Sequence, residues 1–299
     1  MQLGRHLLRI EGLSEEQIRF YISTAEQFVE INERAVKKVP TLRGKTVVNL
    51  FYEPSTRTRT SFEIAAKRLS ADAVNINTQI SSVTKGETLV DTVQTIQAMA
   101  PDVLVMRHPA SGATDFIAKR HPKTAVVNAG DGLHEHPTQA LLDALTMKQR
   151  IGRLENLTVT LVGDSFRSRV ARSNIFLLRA LGNRVRVVGP PSLAVPEWAS
   201  MGAEVHHHME SALEGADVVM SLRMKLEYLK ESFVPSAVEY SRKYGITEPM
   251  LAKYAPKSIV LAPGPFIRGT EVSTEVIDGP RSCYHQQVTN GVATRMAVL

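Results

Sequence analysis

Short apolar runs alternate with helical or loop segments along the whole chain. A first series of predicted strands covers 46–51, 73–77, 102–107 and 124–128. A second series covers 157–162, 184–188, 204–206, 217–222 and 258–262. Strands that are separated by helices indicate βαβ units, which form parallel sheets. The pattern therefore predicts an α/β protein with two doubly wound domains and mostly parallel sheets, joined by interdomain helices.

A predicted helix lies between the two series of strands and ends at Ile151-Gly152. It places the domain limits at 1–135 for the first domain, 136–150 for a linker helix and 151–281 for the second domain. The last stretch, 282–299, is a predicted helix that we expect to pack back on the first domain.

A run of seven hydroxyl and guanidinium side chains, 55–61 (STRTRTS), separates the first strand from an amphipathic helix over 62–69. The unpaired N–H groups and the positive dipole end of such a helix favour an anion. Hydroxyls and a guanidinium add hydrogen bonds to phosphate oxygens. The alternative is a capped helix with solvated arginines, but the density of donors favours a phosphate site. The predicted phosphate ligands are Ser55, Thr56, Arg57 and Thr58.

Polar clusters recur beyond the predicted carboxyl ends of the strands, where parallel α/β sheets bind ligands. They lie at 55–58, 107–109, 128–139, 163–169, 223 and 262–265. Six clusters that point into one crevice predict a substrate site between the domains.

Composition narrows the classes of partner. The net charge is +6, but Lys and Arg are scattered and aromatic residues make up only 6% of the chain. Proteins that bind single-stranded nucleic acids combine clustered basic residues with interleaved aromatic residues, so we predict no nucleic-acid partner. A modest positive balance suits small anionic substrates. No apolar run reaches the roughly 18 residues of a membrane span and no signal peptide is recognisable, which predicts no membrane association.

Cysteine and histidine usage bear on the compartment and on metals. Cys283 is the single cysteine, which fits a reducing compartment and predicts a cytoplasmic location. The run His206-His207-His208 invites a metal interpretation. Adjacent strand residues point to opposite faces, however, so three of them do not easily share one ion, and we predict no metal site.

Four segments together resemble the carbamoyltransferase superfamily: 51–63 (FYEPSTRTRTSFE), 81–88 (SSVTKGET), 105–109 (VMRHP) and 128–143 (NAGDGLHEHPTQALLD). The resemblance runs from about residue 5 to 299. Lys85 is similar to the branch formed by the catalytic chains of aspartate carbamoyltransferases. The ornithine branch typically lacks that lysine and has an HCLP motif late in the chain, where this sequence reads APGP (262–265).

The resemblance implies transfer of the carbamoyl group of carbamoyl phosphate to the amino group of L-aspartate in pyrimidine synthesis. Phosphate is already a good leaving group, so no metal or organic cofactor is expected. The implied catalytic residues are Arg57, Thr58, Lys85, Arg107, His136 and Gln139. The implied carbamoyl-phosphate ligands are Ser55, Thr56, Arg57, Thr58, Ser81, Arg107, His136 and Gln139. The implied aspartate ligands are Lys85, Arg169, Arg223, Lys225, Pro263 and Gly264.

The same resemblance implies a homotrimer, because the loop that carries Ser81 and Lys85 reaches a neighbouring subunit's active site in this family. The alternative for that loop is a flexible surface segment. Whether a regulatory or dihydroorotase-type partner chain binds stays open.

The chain departs from the family pattern at four positions. Arg167 and Ala262 stand where His is frequent, Lys225 where Gln is common and Ile267 where Asn is frequent. Lys225 matters most, since an ammonium group holds a carboxylate but repels a protonated amine. A different amine acceptor, or a non-catalytic relative that binds carbamoyl phosphate or a partner chain, are the alternatives that follow.

Overall fold

The computed structural model describes residues 3–77, 86–224 and 234–299 of the chain. Two compact units form, the first from Met1–Leu145 with Val288–Leu299 and the second from Thr146–Gln287. The strands in the described ranges are β1 (Thr46–Phe51), β2 (Asp72–Asn77), β3 (Val103–His108), β4 (Ala125–Asp131), β5 (Thr158–Val162), β6 (Arg184–Val188), β7 (Glu204–His206), β8 (Val218–Ser221) and β9 (Ile259–Leu261). The α-helices are α1 (Glu15–Val29), α2 (Thr56–Arg68), α3 (Leu89–Ala98), α4 (Ala113–Arg120), α5 (Pro137–Ile151), α6 (Arg169–Ala180), α7 (Met209–Leu213), α8 (Ala237–Tyr244), α9 (Glu248–Tyr254), α10 (Thr274–Ile277) and α11 (Tyr284–Val298).

The first unit is built on a parallel sheet of order β2-β1-β3-β4. Helices cover both of its faces because successive strand residues point to opposite sides. Val47 of β1 packs in a cluster with Phe62 of α2. Its neighbour Val48 packs in a different cluster with Ile96 of α3 and Ile117 of α4. This unit is therefore doubly wound.

The second unit is built on a parallel sheet of order β7-β6-β5-β8-β9. Val162, Val219 and Val260 on its strands pack in one cluster with Leu213 of α7 and Leu251 of α9. Both sheets are parallel, which confirms the predicted α/β architecture.

The predicted strands agree with the observed ones to within two residues at most ends. The exception is β4, which extends to Asp131 instead of ending at 128. A shift of register between Met106 and His108 allows His108 to pair with Asp131 and lengthens the strand. The helix predicted over 62–69 was wrong at its start, since α2 begins at Thr56. Most of the polar run 55–61 thus belongs to the helix instead of preceding it, because burial of Thr58, Ser61 and Phe62 at helical spacing continues the α2 pattern.

Two long helices occur near the predicted domain limits. The helix α5 spans Pro137–Ile151, and the division between the compact units falls inside it. The helix α11 belongs largely to the first unit, where Met296 packs with Ala65 and Leu69. The limits 1–135, 136–150, 151–281 and 282–299 stay a prediction. None of the helices in the described ranges has the length and hydropathy that a membrane span requires.

An aspartate braces the amino edge of each sheet. Asp102, before β3, accepts the Thr46 N–H at 2.9 Å and pairs with the Lys45 ammonium group at 2.9 Å. Asp217, before β8, accepts the Thr158 N–H at 2.8 Å and pairs with an arginine, Arg153, at 3.2 Å. These bonds tie neighbouring strands together at the edge opposite the predicted ligand loops.

Candidate functional site

In the first unit, predicted ligand residues follow three neighbouring strands at the carboxyl edge of the sheet. Ser55 follows β1, Arg107 lies at the end of β3 and His136 follows β4. Phe51, the last residue of β1, is the register partner of Arg107. The topology therefore brings these three segments to one edge.

The helix α2 presents its N-terminus at this edge. Ser55 precedes it in an extended conformation (φ −157°, ψ 92°), and its side chain forms no capping hydrogen bond. Instead, the Ser55 hydroxyl accepts a hydrogen bond from Nη1 of Arg107 at 3.3 Å. The first turn contains no acidic residue, while Thr56 and Arg57 are exposed and Thr58 is buried. The positive end of the helix is therefore not neutralised from within its own first turn.

Arg107 is held by the end of β1. Its Nε lies 2.9 Å from Oε2 of Glu53. Its carbonyl accepts the Tyr52 N–H at 2.9 Å. The guanidinium is thus fixed at one side by a carboxylate while another nitrogen reaches Ser55, which is a suitable placement for polarising a substrate oxygen.

The loop between β4 and α5 is organised by Asp131, which is fully buried. Its carboxylate accepts from Nδ2 of Asn128 at 2.7 Å, from the Gly112 N–H at 2.8 Å and from the Glu135 N–H at 3.1 Å. It also lies 3.0 Å from Nδ1 of His134. Burial alone would raise the pKa of Asp131, but these bonds outweigh it and lower the pKa below its usual value. The hydrogen bond between His134 and Asp131 in turn raises the pKa of His134.

A second buried carboxylate in this loop ties it to the N-terminal segment. The side chain of Glu135 accepts the Ile10 N–H at 2.7 Å and the Glu11 N–H at 3.1 Å. The next residue is His136. The predicted imidazole ligand therefore follows a residue whose side chain and backbone N–H are both held by hydrogen bonds.

His136 directly precedes α5 and Gln139 lies in its first turn, and both are buried. The His136 carbonyl accepts the Gln139 N–H at 3.0 Å, which closes the first helical turn. The side-chain nitrogen Nε2 of Gln139 donates to Oδ1 of Asp143 at 2.8 Å. The helix thus places an imidazole and an amide within one turn of each other at the sheet edge.

In the second unit, predicted aspartate ligands likewise follow neighbouring strands. Arg169 opens α6 after β5, and Ser168 caps that helix by accepting the Ala171 N–H at 3.1 Å. Arg223 follows β8 and is exposed. Pro263 and Gly264 follow β9; Gly264 has a left-handed φ of +57°, which favours glycine.

Glu271 connects the loops that follow β8 and β9. Its carboxylate accepts the Met224 N–H at 2.5 Å and the Ile267 N–H at 2.7 Å. Burial raises the pKa of Glu271 to about 7, although both N–H bonds and the nearby charge of Arg223 oppose the rise. This carboxyl group therefore changes charge near neutral pH, next to a predicted aspartate ligand.

Three of the four positions that depart from the family pattern lie in the described residues, and each makes a defined contact. Arg167 is buried and pairs with Asp164, Nη2 to Oδ2, at 2.6 Å. The Ala262 N–H donates to Oε1 of Gln287 at 2.9 Å, and Ile267 bonds Glu271 through its backbone. Lys225 lies outside the described residues, as do the predicted ligands Ser81 and Lys85.

Two groups of side chains in the described ranges have metal-ligating atoms within 4.8 Å of one another: Glu11 with His134 and Glu135, and Asp115 with Asp131 and His134. Several of their atoms already have protein partners. Asp131 accepts the bonds described above, and Asp115 pairs with Arg9. The two groups form a network of ion pairs and hydrogen bonds around the loop before His136, in which Oδ2 of Asp115 is buried without a hydrogen-bond partner.

Sequence reasoning did not single out several residues that shape the site. Glu53 stands two residues before the STRTRTS run, and its proximity to that run was a usable signal. Asp143 follows Gln139 by four residues in the predicted helix, so this spacing was a usable signal too, whereas Glu271 gave none because it joins two loops.

Comparison with known proteins gives independent evidence on the family of this chain. Residues 5–149 match the family described as aspartate/ornithine carbamoyltransferase, carbamoyl-P binding domain, and residues 155–299 match its Asp/Orn binding domain. An aspartate carbamoyltransferase catalytic subunit of Sorangium cellulosum is 58% identical over 295 residues, 99% of this chain and 92% of that one. One from Geobacter sulfurreducens is 53% identical over 296 residues, 99% and 95% of the two chains.

Solved structures of carbamoyltransferases have a similar fold. The aspartate transcarbamoylase of Trypanosoma cruzi in complex with carbamoyl phosphate and aspartate superposes with a TM-score of 0.87 at 32% identity, covering 99% of this chain and 95% of that one. The ornithine carbamoyltransferase of Thermus thermophilus gives a TM-score of 0.86 at 27% identity, covering 100% and 98% of the two chains.

Proposed function

The chain belongs to the aspartate/ornithine carbamoyltransferase family, and we infer on that premise that it transfers the carbamoyl group of carbamoyl phosphate to the amino group of L-aspartate. The products are N-carbamoyl-L-aspartate and phosphate, in pyrimidine biosynthesis. The observation that carries the choice of acceptor is the identity of 51–58% to catalytic subunits named for aspartate. Two arginines, Arg169 and Arg223, beyond neighbouring strands of the second unit suit an acceptor with two carboxylates.

We propose that the first unit binds carbamoyl phosphate at the N-terminus of α2. Its phosphate oxygens accept hydrogen bonds from the first turn and from Arg57, where the helix dipole favours negative charge. Support comes from the absence of acidic residues in this turn and from the extended, uncapped Ser55. Ser81 joins this ligand set by the resemblance of its loop. The ligands are Ser55, Thr56, Arg57, Thr58, Ser81, Arg107, His136 and Gln139.

The carbonyl group is the second point of recognition. Thr58, Arg107 and His136 donate to its oxygen, whose negative charge grows as the tetrahedral transition state forms. Donors placed at such an oxygen contribute on the order of 10²–10³ in rate each. Support comes from the Glu53–Arg107 pair, which fixes the guanidinium before substrate arrives.

The acceptor binds through the second unit. Arg169 and Arg223 hold the two carboxylates of aspartate, with Pro263 and Gly264 lining the loop after β9. Lys85 and Lys225 complete the set by resemblance. The aspartate nitrogen bonds to the carbonyl carbon, the bond from that carbon to the phosphate oxygen breaks, and the nitrogen loses a proton. Binding both reactants together removes roughly 7–11 kcal/mol of the barrier.

We further propose a homotrimer in which Lys85 acts in a neighbouring subunit's site, supported by the resemblance of the 81–88 loop. Mixing inactive Lys85→Ala and His136→Ala chains under subunit exchange will then restore activity. If no activity returns, Lys85 does not act across an interface. Binding of a regulatory or dihydroorotase-type chain is an additional proposal, which co-purification tests. A cytoplasmic location is supported by Cys283, which is buried as a free thiol.

The deciding experiment is formation of N-carbamoyl-aspartate from carbamoyl phosphate and L-aspartate, with ornithine and no acceptor as controls. We expect turnover with aspartate alone. Turnover only with another amine from a panel would show that the acceptor is not aspartate. A protein that binds carbamoyl phosphate and turns over no amine would be a non-catalytic relative.

A further inference from the structure

Gln139 and Asp143 lie one turn apart on α5, and both side chains are buried. The contact between them runs from Nε2 of Gln139 to Oδ1 of Asp143, at 2.8 Å. An ionised carboxylate accepts hydrogen bonds and has none to donate. The amide of Gln139 is therefore restricted to one orientation, with Nε2 committed to Asp143 and Oε1 on the opposite branch.

A buried arginine lies near this carboxylate. Arg295 of α11 is almost completely buried. Its guanidinium carbon lies 5.1 Å from the ring centre of Phe62 on α2, and its Nη1 donates to the Gly291 carbonyl at 3.0 Å. Burial and the charge of Arg107 lower the pKa of Arg295 to about 9, while Asp143 raises it. Arg295 is thus a cation at neutral pH, and its charge attracts the carboxylate of Asp143.

The backbone leaves space for this arginine. A Cβ atom at position 291 would lie 2.6 Å from Nη1 of Arg295 and 3.5 Å from Cδ2 of Leu142 on α5. A glycine inside a helix costs about 1 kcal/mol relative to alanine. An alanine at position 291 would, however, require the Arg295 guanidinium to shift.

We propose that Asp143 is a positioning residue that presents Oε1 of Gln139 as a hydrogen-bond acceptor to the amino group of carbamoyl phosphate. The proposal deepens the proposed function and rests on it. The expected consequence is selectivity for carbamoyl phosphate over acetyl phosphate. A carbamoyl group has an N–H to donate to Oε1, whereas the methyl group of acetyl phosphate leaves that buried oxygen without a partner.

The test compares the dissociation constants of carbamoyl phosphate and acetyl phosphate by calorimetry. The wild-type protein will bind carbamoyl phosphate at least about tenfold more tightly, since an unpaired buried acceptor is costly. In Asp143→Asn the cationic Arg295 attracts the oxygen of the new amide, which leaves the amide nitrogen to donate to Oε1 of Gln139 and turns Nε2 toward the substrate amino group. Two donors then face each other, and carbamoyl phosphate binding weakens by about 10- to 100-fold while acetyl phosphate binding changes by less than about threefold.

Two further variants keep the result interpretable. Asp143→Asn with Arg295→Met removes the buried charge as well, so the amide oxygen can accept Nε2 of Gln139 as the carboxylate does, and this double variant is expected to regain carbamoyl phosphate binding. The matched control is Asp102→Asn, the same chemical change at a carboxylate on the opposite edge of the first sheet, which will alter neither constant.

Equal weakening of both phosphates would reduce Asp143 to a structural role and overturn the proposal. Unchanged carbamoyl phosphate binding in Asp143→Asn, or a wild-type protein without preference between the phosphates, would overturn it as well. The turnover assay separates this result from the proposed function. A wild-type protein that carbamoylates aspartate but does not prefer carbamoyl phosphate contradicts the positioning role alone, and selective binding without turnover contradicts the function alone.

Discussion

The first unit carries the strand order β2-β1-β3-β4, and the second unit repeats it as β6-β5-β8-β9 with β7 added at one edge. Corresponding strands carry corresponding features. Asp102 before β3 has its counterpart in Asp217 before β8, and each accepts the N–H that begins the neighbouring strand. The ligand loops also correspond, following β1, β3 and β4 in one unit and β5, β8 and β9 in the other.

The two units differ in the carboxyl group that braces their ligand loops. Asp131 in the first unit accepts four bonds and has a lowered pKa, so it stays ionised throughout the neutral range. Glu271 in the second unit accepts two backbone N–H groups and has a pKa of about 7. The comparison teaches that burial raises a carboxyl pKa unless enough donors surround it. The carboxyl group that braces the loops of the first unit is thus fixed in charge near neutral pH, and the one in the second unit is not.

The largest expected effect separates the two ligands. Arg57→Ala removes charge-assisted hydrogen bonds to phosphate, so kcat/KM for carbamoyl phosphate will fall by about 1000-fold, or about 4 kcal/mol. Arg223→Ala will instead raise KM for aspartate by about 100-fold. Steady-state kinetics with each substrate varied in turn measure both.

The exposed Arg43 and Arg242 supply matched Arg→Ala controls in the two units. Both control variants are expected to keep wild-type constants. An unchanged aspartate KM in Arg223→Ala would remove Arg223 from the aspartate site.

A second prediction concerns the fixed charge of the first unit. Asp131→Ala leaves several buried donors without an acceptor, so the free energy of unfolding will fall by about 3 kcal/mol. Urea denaturation measures it. A loss below about 1 kcal/mol would mean that the loop does not depend on this carboxylate.

A third prediction concerns the variable charge of the second unit. The ordinary pKa of Glu271 is 4.5, and in the folded protein it is about 7. Between these pH values the unfolded chain binds fewer protons than the folded chain, so stability falls as pH rises from 4.5 to 7, by up to about 3 kcal/mol. Glu271→Gln abolishes this contribution. Its free energy of unfolding, subtracted from that of the wild type at each pH, will give a difference that rises by up to about 3 kcal/mol as pH falls from 7 to 4.5, and a difference that does not depend on pH would contradict the raised pKa.

Aspartate affinity supplies the functional half of this prediction. The wild-type KM for aspartate will show an inflection near pH 7 that Glu271→Gln lacks, because ionisation of Glu271 changes the charge beside Arg223. Identical pH profiles for the two proteins would separate Glu271 from the aspartate site.

The smallest expected effect tests the likeness of the units. Asp102→Asn and Asp217→Asn each weaken an ion pair and a bond to a strand N–H, so each will lower the free energy of unfolding by about 1 kcal/mol with kcat unchanged. Chemical denaturation measures the loss. A change in kcat for one variant only would show that the two edges are not equivalent.

The sequence predicted much of this from local pattern. Strand positions followed from apolar runs such as Thr46–Phe51, since buried parallel strands need continuous apolar residues. The donor-rich start of α2 was visible for the same local reason. The register shift that extends β4 to Asp131 was not visible, because it depends on pairing with β3. Arg295 and Glu271 were missed because their partners lie far away in the chain.

The aspartates at the amino edges have a consequence for how this fold can change. Asp102 and Asp217 join strands at the edge that carries none of the predicted ligands. The loops after β5, β8 and β9 can therefore be exchanged for those of a relative with another amine substrate while the strand joints stay in place. In such a chimera the contacts that join the strands stay at one edge of each sheet, and the exchanged loops lie at the other edge. The substrate can therefore change during evolution without loss of these strand contacts.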